Sequence, residues 1–177
     1  MNKKDLRQYY KALRREIAHK AQKSDSILHS LLNRTQWRTA HTVALYASLP
    51  DEVDTAAMIT SALDSGKCVC LPKVHGGEMQ FYAIHADTAF HYGAYGIREP
   101  EGTSAVPKEE IELIIVPLLA ADKDNYRLGF GGGYYDKYLK DFTGVSIGVC
   151  FQEQLSPFPL PHEAHDIALD DIIYDTA

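Results

Sequence analysis

Four of the five residues from Gly129 to Gly133 are glycine, with Arg127 shortly before them and Asp136 shortly after. Glycines cluster like this at a cost in backbone entropy, and what they permit is close approach of the main chain to a ligand. An apolar run, Ile111 to Pro117, reads as a buried strand ahead of the loop, and a helical pattern through Tyr138, Leu139 and Phe142 follows it. A strand, a glycine turn and a helix start is an arrangement that binds phosphate, because unpaired N–H groups and the helix dipole favour an anion. Arg127 supplies a cation beside it, and Asp136 a carboxylate able to face a metal. The general templates do not fit. There is no Walker Gly-x-x-x-x-Gly-Lys-Ser/Thr, and Tyr134 stands where the dinucleotide fingerprint needs glycine. On residues alone two readings stand, a phosphate cradle and an unliganded turn between strand and helix.

The elements that must hold this loop alternate in type. A helix is expected from residue 3 to about 22, with Leu6, Tyr9 or Tyr10, Leu13 and Ile17 at helical spacing and cations around them, most of these in a solvated face. A second helix, capped by Ser24 or Asp25, runs to about Trp37. Thr42 to Ser48 reads as a buried strand. Asp54 or Thr55 caps a third helix that ends near Gly66. Strands follow at Cys68 to Pro72 and Met79 to Ile84, around a turn at His75 to Glu78. Residues 86 to 108 look irregular. The strand from Ile111, the glycine loop and its helix come next, then strands at Val145 to Phe151 and Ile172 to Tyr174. Strands alternating with helices imply parallel pairing in a layered α/β fold, whose ligands bind beyond the carboxyl ends of the strands. That rule gathers Ser48 to Asp54, Pro72 to Lys73, Pro117 to Gly133 and Phe151 to Glu153 on one rim.

The chain has 177 residues, 45% of them hydrophobic and 24% charged, which suits one soluble domain over residues 1–177. A net charge of −6 argues against nonspecific nucleic-acid binding. No apolar run is long enough for a membrane span, and the charged start lacks a signal-peptide core. Three cysteines make no disulfide framework. Cys68 and Cys70 share one face of a strand, where burial explains them better than a metal. A cytoplasmic location is expected.

Two patterns imitate catalytic motifs. Gly144 to Gly148 matches Gly-x-Ser-x-Gly, but Val149, Cys150 and Phe151 continue a strand where a nucleophile elbow must open a helix. His162-Glu163-Ala164-His165 is one residue short of the zinc-protease spacing and follows Pro157, Pro159 and Pro161, so a surface loop accounts for it.

The string Arg127-Leu128-Gly129-Phe130-Gly131-Gly132-Gly133-Tyr134-Tyr135-Asp136 resembles the signature of 5-formyltetrahydrofolate cyclo-ligases, also called 5,10-methenyltetrahydrofolate synthetases. Lys3 to Arg7, Leu49 to Thr55, Tyr95 to Pro100 and His165 to Asp170 agree with that family in order and spacing. The resemblance covers nearly the whole chain. It departs from the usual pattern at Leu118, where glycine is commoner, and at Phe130, where tyrosine or arginine is.

The resemblance implies a three-layer α/β/α sandwich with a mostly parallel central sheet. It implies ATP-dependent closure of 5-formyltetrahydrofolate to the 5,10-methenyl compound through phosphorylation of the formyl oxygen, with ADP and phosphate released. ATP and Mg²⁺ are the cofactors and reduced folate the partner, with no nucleic acid or membrane, in a monomer or weak homodimer. Lys3, Lys4, Arg7, Arg127, Leu128, Gly129, Phe130, Gly131, Gly132, Gly133, Tyr134 and Tyr135 fall to the nucleotide, with Arg127 and Tyr134 catalytic. Ala47, Glu52, Tyr95, Phe130 and Tyr134 fall to the folate, and Asp136 and Asp166 to the metal. Two other readings stand beside this one: a folate- or nucleotide-binding sensor without turnover, and a sugar-phosphate isomerase of similar layered fold.

Overall fold

The structure is a computed structural model that describes residues 1–93 and 96–176. The chain enters through α1 (Lys3–Glu16), α2 (Lys20–Leu32) and α3 (Thr35–Thr39), then β1 (Thr42–Ala44) and α4 (Ala56–Asp64). Next come β2 (Cys68–His75), β3 (Glu78–Ile84), β4 (Phe90–Tyr92), β5 (Arg98–Pro100), β6 (Ala105–Val106) and β7 (Leu113–Val116). A short hairpin, β8 (Ala120–Ala121) with β9 (Arg127–Leu128), carries the chain into α5 (Tyr134–Leu139), and β10 (Val145–Cys150) and β11 (Asp171–Tyr174) end it.

The central sheet has seven strands in the order β11-β10-β7-β1-β2-β3-β6. The strands from β11 through β2 are parallel, whereas β3 and β6 pair antiparallel at one edge. Gly76 and Gly77, at φ 59° and 82°, make the β2–β3 turn, a conformation that L-residues with side chains resist.

The period-two alternation of each strand divides its side chains between two cores. Val43, Leu45, Leu113, Ile115, Ile147 and Val149 face α2, α3 and α4, packing with Ile27, Leu31, Trp37 and Met58. Ala44, Ile114, Val116 and Cys150 face the other way, with Tyr138 and Leu139 of α5 and Phe81 of β3. Helices on both faces of a mostly parallel sheet give the expected three layers. No helix among the described residues is long and apolar enough to cross a membrane.

Several local expectations change. The helix expected from residue 3 to about 22 breaks, because Ile17 ends α1 in extended backbone and His19 sits at φ 59°. Leu6, Tyr10 and Leu13 pack against Leu119, Leu128 and Leu160, whereas Ile17 packs into the core under α2. A straight helix cannot reach both clusters. The stretch expected to be irregular, 86 to 108, holds β4, β5 and β6. Cys70 is buried, as expected for a structural cysteine, but Cys68 at the strand's start is exposed.

Both imitations of catalytic motifs are structural. Ser146 is buried on β10, and its N–H and hydroxyl both donate to Asp170. No helix spans His162 to His165. The glycines at the ends of Gly144–Gly148 make room for neighbours. A Cβ on Gly144 would sit 2.7 Å from the Ile111 carbonyl oxygen and 2.8 Å from that of Glu112. Gly144→Ala is therefore expected to destabilise the fold by about 1–3 kcal/mol, read as a lower denaturant midpoint at unchanged slope. At Gly148 a Cβ would meet Leu118 at 2.8 Å, so the leucine that replaces the commoner glycine at 118 packs into space that Gly148 leaves.

Candidate active site

The loop from Gly129 to Gly133 is placed by the β8–β9 hairpin. Asp122 closes that hairpin from within: its Oδ1 accepts hydrogen bonds from the N–H groups of Asp124 and Tyr126, and its Oδ2 from Leu160. Arg127 is thereby held at the loop's entrance with its side chain 6% exposed. Its Nη2 lies 3.6 Å from Asp136 Oδ1, its guanidinium stands over the Tyr135 ring, and its Nε has no hydrogen-bond partner among the described residues. Burial pulls the guanidinium's pKa down, while Asp136 opposes that pull.

Beyond Arg127 the backbone favours glycine at Gly129, Gly131 and Gly133. A Cβ on Gly129 would collide with Arg127 Nη1 at 2.5 Å, and Gly131 and Gly133 take φ values of 108° and 70°. Among the described residues, the N–H groups of Gly129, Phe130, Gly131, Gly132 and Gly133 donate no hydrogen bonds. A row of unpaired donors beside a buried cation suits an oxyanion.

The loop forms one wall of a cavity of about 550 Å³. Opposite it lies α1, whose first turn is capped by Asn2 accepting from the Asp5 N–H. Lys3, Arg7, Lys11 and Arg14 recur on one helix face and all line the cavity. Arg7 Nε donates to the Gly129 carbonyl at 3.0 Å, tying helix to loop. Lys3 Nζ donates to Asp166 Oδ2 at 2.6 Å. Burial works against the Asp166 carboxylate, but bonds from Lys3 and the Glu163 N–H, with the charges of Lys3 and His165, outweigh it and hold its pKa below the usual range. Asp136 Oδ1 accepts from the N–H of Ile167, which brings the two acids to the same corner. No group of three or more metal-ligating side chains occurs among the described residues. A pair of carboxylates fits Mg²⁺, which takes one or two such ligands and completes its shell with phosphate and water.

The third wall follows β1. The chain turns at 49–52, where Glu52 N–H donates to the Leu49 carbonyl and Glu52 Oε1 accepts from the Leu49 N–H at 2.8 Å. Glu52 is 7% exposed, so it is a buried carboxylate and not a solvent-facing turn acid. Burial raises its pKa, against the lowering by the Leu49 N–H and Arg14. Tyr46 beside it is pushed up further by its own burial and by the Glu52 charge.

Of the residues singled out in the sequence, Lys3, Arg7, Ala47, Glu52, Arg127 through Asp136 and Asp166 all line this cavity. Lys4 does not: it is exposed, on another face of α1 from Lys3 and Arg7. Tyr95 lies outside the described residues. Of the expected rim, Ser48, Pro50, Val53, Asp54, Lys73, residues 118–126 and the 151–153 segment stay out of the lining. Gln154 instead braces the connection between β7 and β8, its Nε2 donating to the Leu118 and Leu119 carbonyls. The cavity also takes in residues not foreseen: Lys11, Arg14, Arg15, Tyr46, Met79 and Glu99. The cations were legible as a helical stripe but were assigned to solvent. Glu99 is buried on β5, its Oε2 accepting from the Val74 N–H at 2.8 Å.

The chain is similar to known proteins along nearly its whole length. The family model for the 5-formyltetrahydrofolate cyclo-ligase family matches residues 1–175. The 5-formyltetrahydrofolate cyclo-ligase of Haemophilus influenzae is 33% identical over 161 residues, covering 86% of this chain and 85% of that protein. The mouse protein of that name is 27% identical, covering 97% and 90%. The solution structure of 5,10-methenyltetrahydrofolate synthetase from Aquifex aeolicus superposes with a TM-score of 0.86 at 34% identity, covering 98% of this chain and 90% of that one. A structure of a 5,10-methenyltetrahydrofolate synthetase from Mycoplasma pneumoniae gives 0.79 at 27%, covering 98% of both.

Proposed function

The chain belongs to the 5-formyltetrahydrofolate cyclo-ligase family, and from that premise we propose how its cavity divides between nucleotide and folate. It is an ATP-dependent cyclo-ligase that converts 5-formyltetrahydrofolate to 5,10-methenyltetrahydrofolate, with ADP and phosphate as the other products. The formyl oxygen on N5 is a poor leaving group. Transfer of the γ-phosphoryl group to it makes it a good one. N10 then attacks the formyl carbon, the ring closes and phosphate departs with that oxygen.

The observation that carries the division is the row of unpaired N–H groups from Gly129 to Gly133 beside the buried Arg127. These hold the phosphate oxygens. Lys3 and Arg7 add charge from α1, and Arg127 neutralises the charge that spreads over the transferring group. Glu52 accepts hydrogen bonds from the pterin's amino and ring N–H groups, with Ala47, Phe130 and Tyr134 around the ring. Positioning and electrostatics supply most of the rate in phosphoryl transfer, so no protein nucleophile is needed. Asp136 and Asp166 would hold Mg²⁺, which would supply positive charge against the phosphate groups. Arg127 lies beside Asp136 and Lys3 donates to Asp166, so each acid faces a cation.

With 5-formyltetrahydrofolate, ATP and Mg²⁺, methenyl product and ADP are expected in equal amounts, followed by absorbance and by coupled ADP detection. ADP without methenyl product would assign another acceptor, and neither product would leave a sensor. An isomerase would turn over without ATP. Asp136→Ala and Asp166→Ala are each expected to raise the Mg²⁺ concentration for half-maximal rate and to depress the rate, by about tenfold or more. Unchanged Mg²⁺ dependence in both would remove these acids from the metal site.

A further inference from the structure

Arg14, on the last turn of α1, is 4% exposed, yet its Nε and Nη1 have no hydrogen-bond partner among the described residues. A buried guanidinium without hydrogen bonds is unfavourable unless nearby charge answers it. Two carboxylates do so. Nη2 lies 3.6 Å from Asp51 Oδ2, and Nη1 lies 3.9 Å from Glu52 Oε2. The other Glu52 oxygen is taken by the Leu49 N–H, so Oε2 is the one Arg14 faces. On its other side the guanidinium stands over the Phe130 ring, 5.4 Å from the centroid. Arg14 thus links α1, the 49–52 turn and the glycine loop, the three walls of the cavity it lines.

We propose that Arg14 is a positioning residue for folate: it supplies the counter-charge that keeps Glu52 a carboxylate. This rests on the assignment of Glu52 to the pterin. The groups that face Glu52 are Arg14 from α1, Asp51 from its own turn, Tyr46 after β1 and Tyr135 from α5. Both tyrosines are held neutral by burial, so Arg14 is the cation of that set. Burial and Asp51 both favour the protonated form of Glu52, and Arg14 opposes them. Removing the cation leaves proton uptake by Glu52 extending to higher pH. A protonated Glu52 presents a hydroxyl donor to a pterin edge that itself donates, so folate binding weakens on the acid side and recovers as pH rises.

The test is the folate KM, measured by ADP release at saturating MgATP between about pH 6 and pH 9. Arg14→Met is expected to raise it about tenfold to a hundredfold at the acid end, with recovery of most of the loss at the alkaline end. The KM for ATP should hold within about twofold, and Arg14→Lys should restore most of the folate affinity. Arg14→Gln, which removes charge but stays polar, serves if the methionine variant does not fold. Combined with Glu52→Gln, the Arg14 substitution should add little, because it acts through that carboxylate. A loss equal at every pH, no rescue by lysine, or additive effects would overturn the proposal and leave Arg14 a packing residue. A rise in the ATP KM instead would also overturn it and move Arg14 to the nucleotide. If Glu52→Gln alone leaves the folate KM unchanged, the pterin assignment fails, and this proposal fails with it.

Discussion

Arg127→Ala is expected to lower kcat by about a thousandfold, the scale on which phosphoryl transfer depends on a neutralising arginine. The side chain is nearly withdrawn from solvent, in surroundings of low dielectric, where a charge acts more strongly than it does in water. Its Nε–H has no hydrogen-bond partner among the described residues, and its contact with Asp136, at 3.6 Å, is longer than a good charge-assisted bond. The fork is therefore available to a phosphoryl group. Because charge on the equatorial oxygens is redistributed in the transition state, kcat should fall and the folate KM should hold. Arg127→Lys keeps the charge but not the planar fork, and should recover only part of the rate. Single-turnover ADP formation measures this step directly. A raised KM for ATP at normal kcat would instead make Arg127 a ground-state binder. Thermal melting controls for the fold, since the substitution leaves Asp136 without its cation.

How far the site could be read in advance follows from which forces are local. Gly129 to Gly133 were legible because positive φ and close approach select glycine directly, and Gly131, Gly133 and the Arg127 contact at Gly129 show that selection. The parallel sheet was legible because strands buried on both faces read as continuous apolar runs, as in Leu113–Val116. The family resemblance added Lys3, Arg7, Glu52 and Asp166, and these do meet in one cavity although Lys3 and Asp166 are 163 positions apart.

What escaped depends on tertiary contacts with no local signature. Lys11, Arg14 and Arg15 look like any solvated helix face until the glycine loop and the 49–52 turn are placed against them. The break at Ile17–His19 goes with a change of core, since Leu6, Tyr10 and Leu13 pack in one cluster and Ile17 in another. The β8–β9 hairpin was hidden because its strands are two residues each and its turn is organised by Asp122, a side chain that reads as an ordinary loop acid. Residues 86 to 108 looked irregular for the same reason: β4, β5 and β6 are only two or three residues long.

Glu52→Gln is expected to weaken folate binding by about tenfold to several hundredfold, which corresponds to about 1.4–3 kcal/mol. The structure makes this substitution a cleaner probe than a turn carboxylate would allow. Glu52 Oε1 is committed to the Leu49 N–H, and a glutamine carbonyl can keep that bond, so the turn survives. The change falls on the second oxygen, which becomes an NH₂ group directed at a pterin edge that donates. Two donors then meet with no acceptor between them, in a place 7% exposed where water cannot repair the mismatch. Loss of the negative charge also leaves Arg14 with Asp51 alone as its counter-ion. ATP is held by Lys3, Arg7, Arg127 and the glycine loop on the opposite walls, so its affinity should change little. Calorimetric titration of each ligand separately, at a pH where wild-type Glu52 is ionised, measures both terms. If ATP binding fell while folate binding held, Glu52 would belong to the nucleotide and the two halves of the cavity would have to be exchanged.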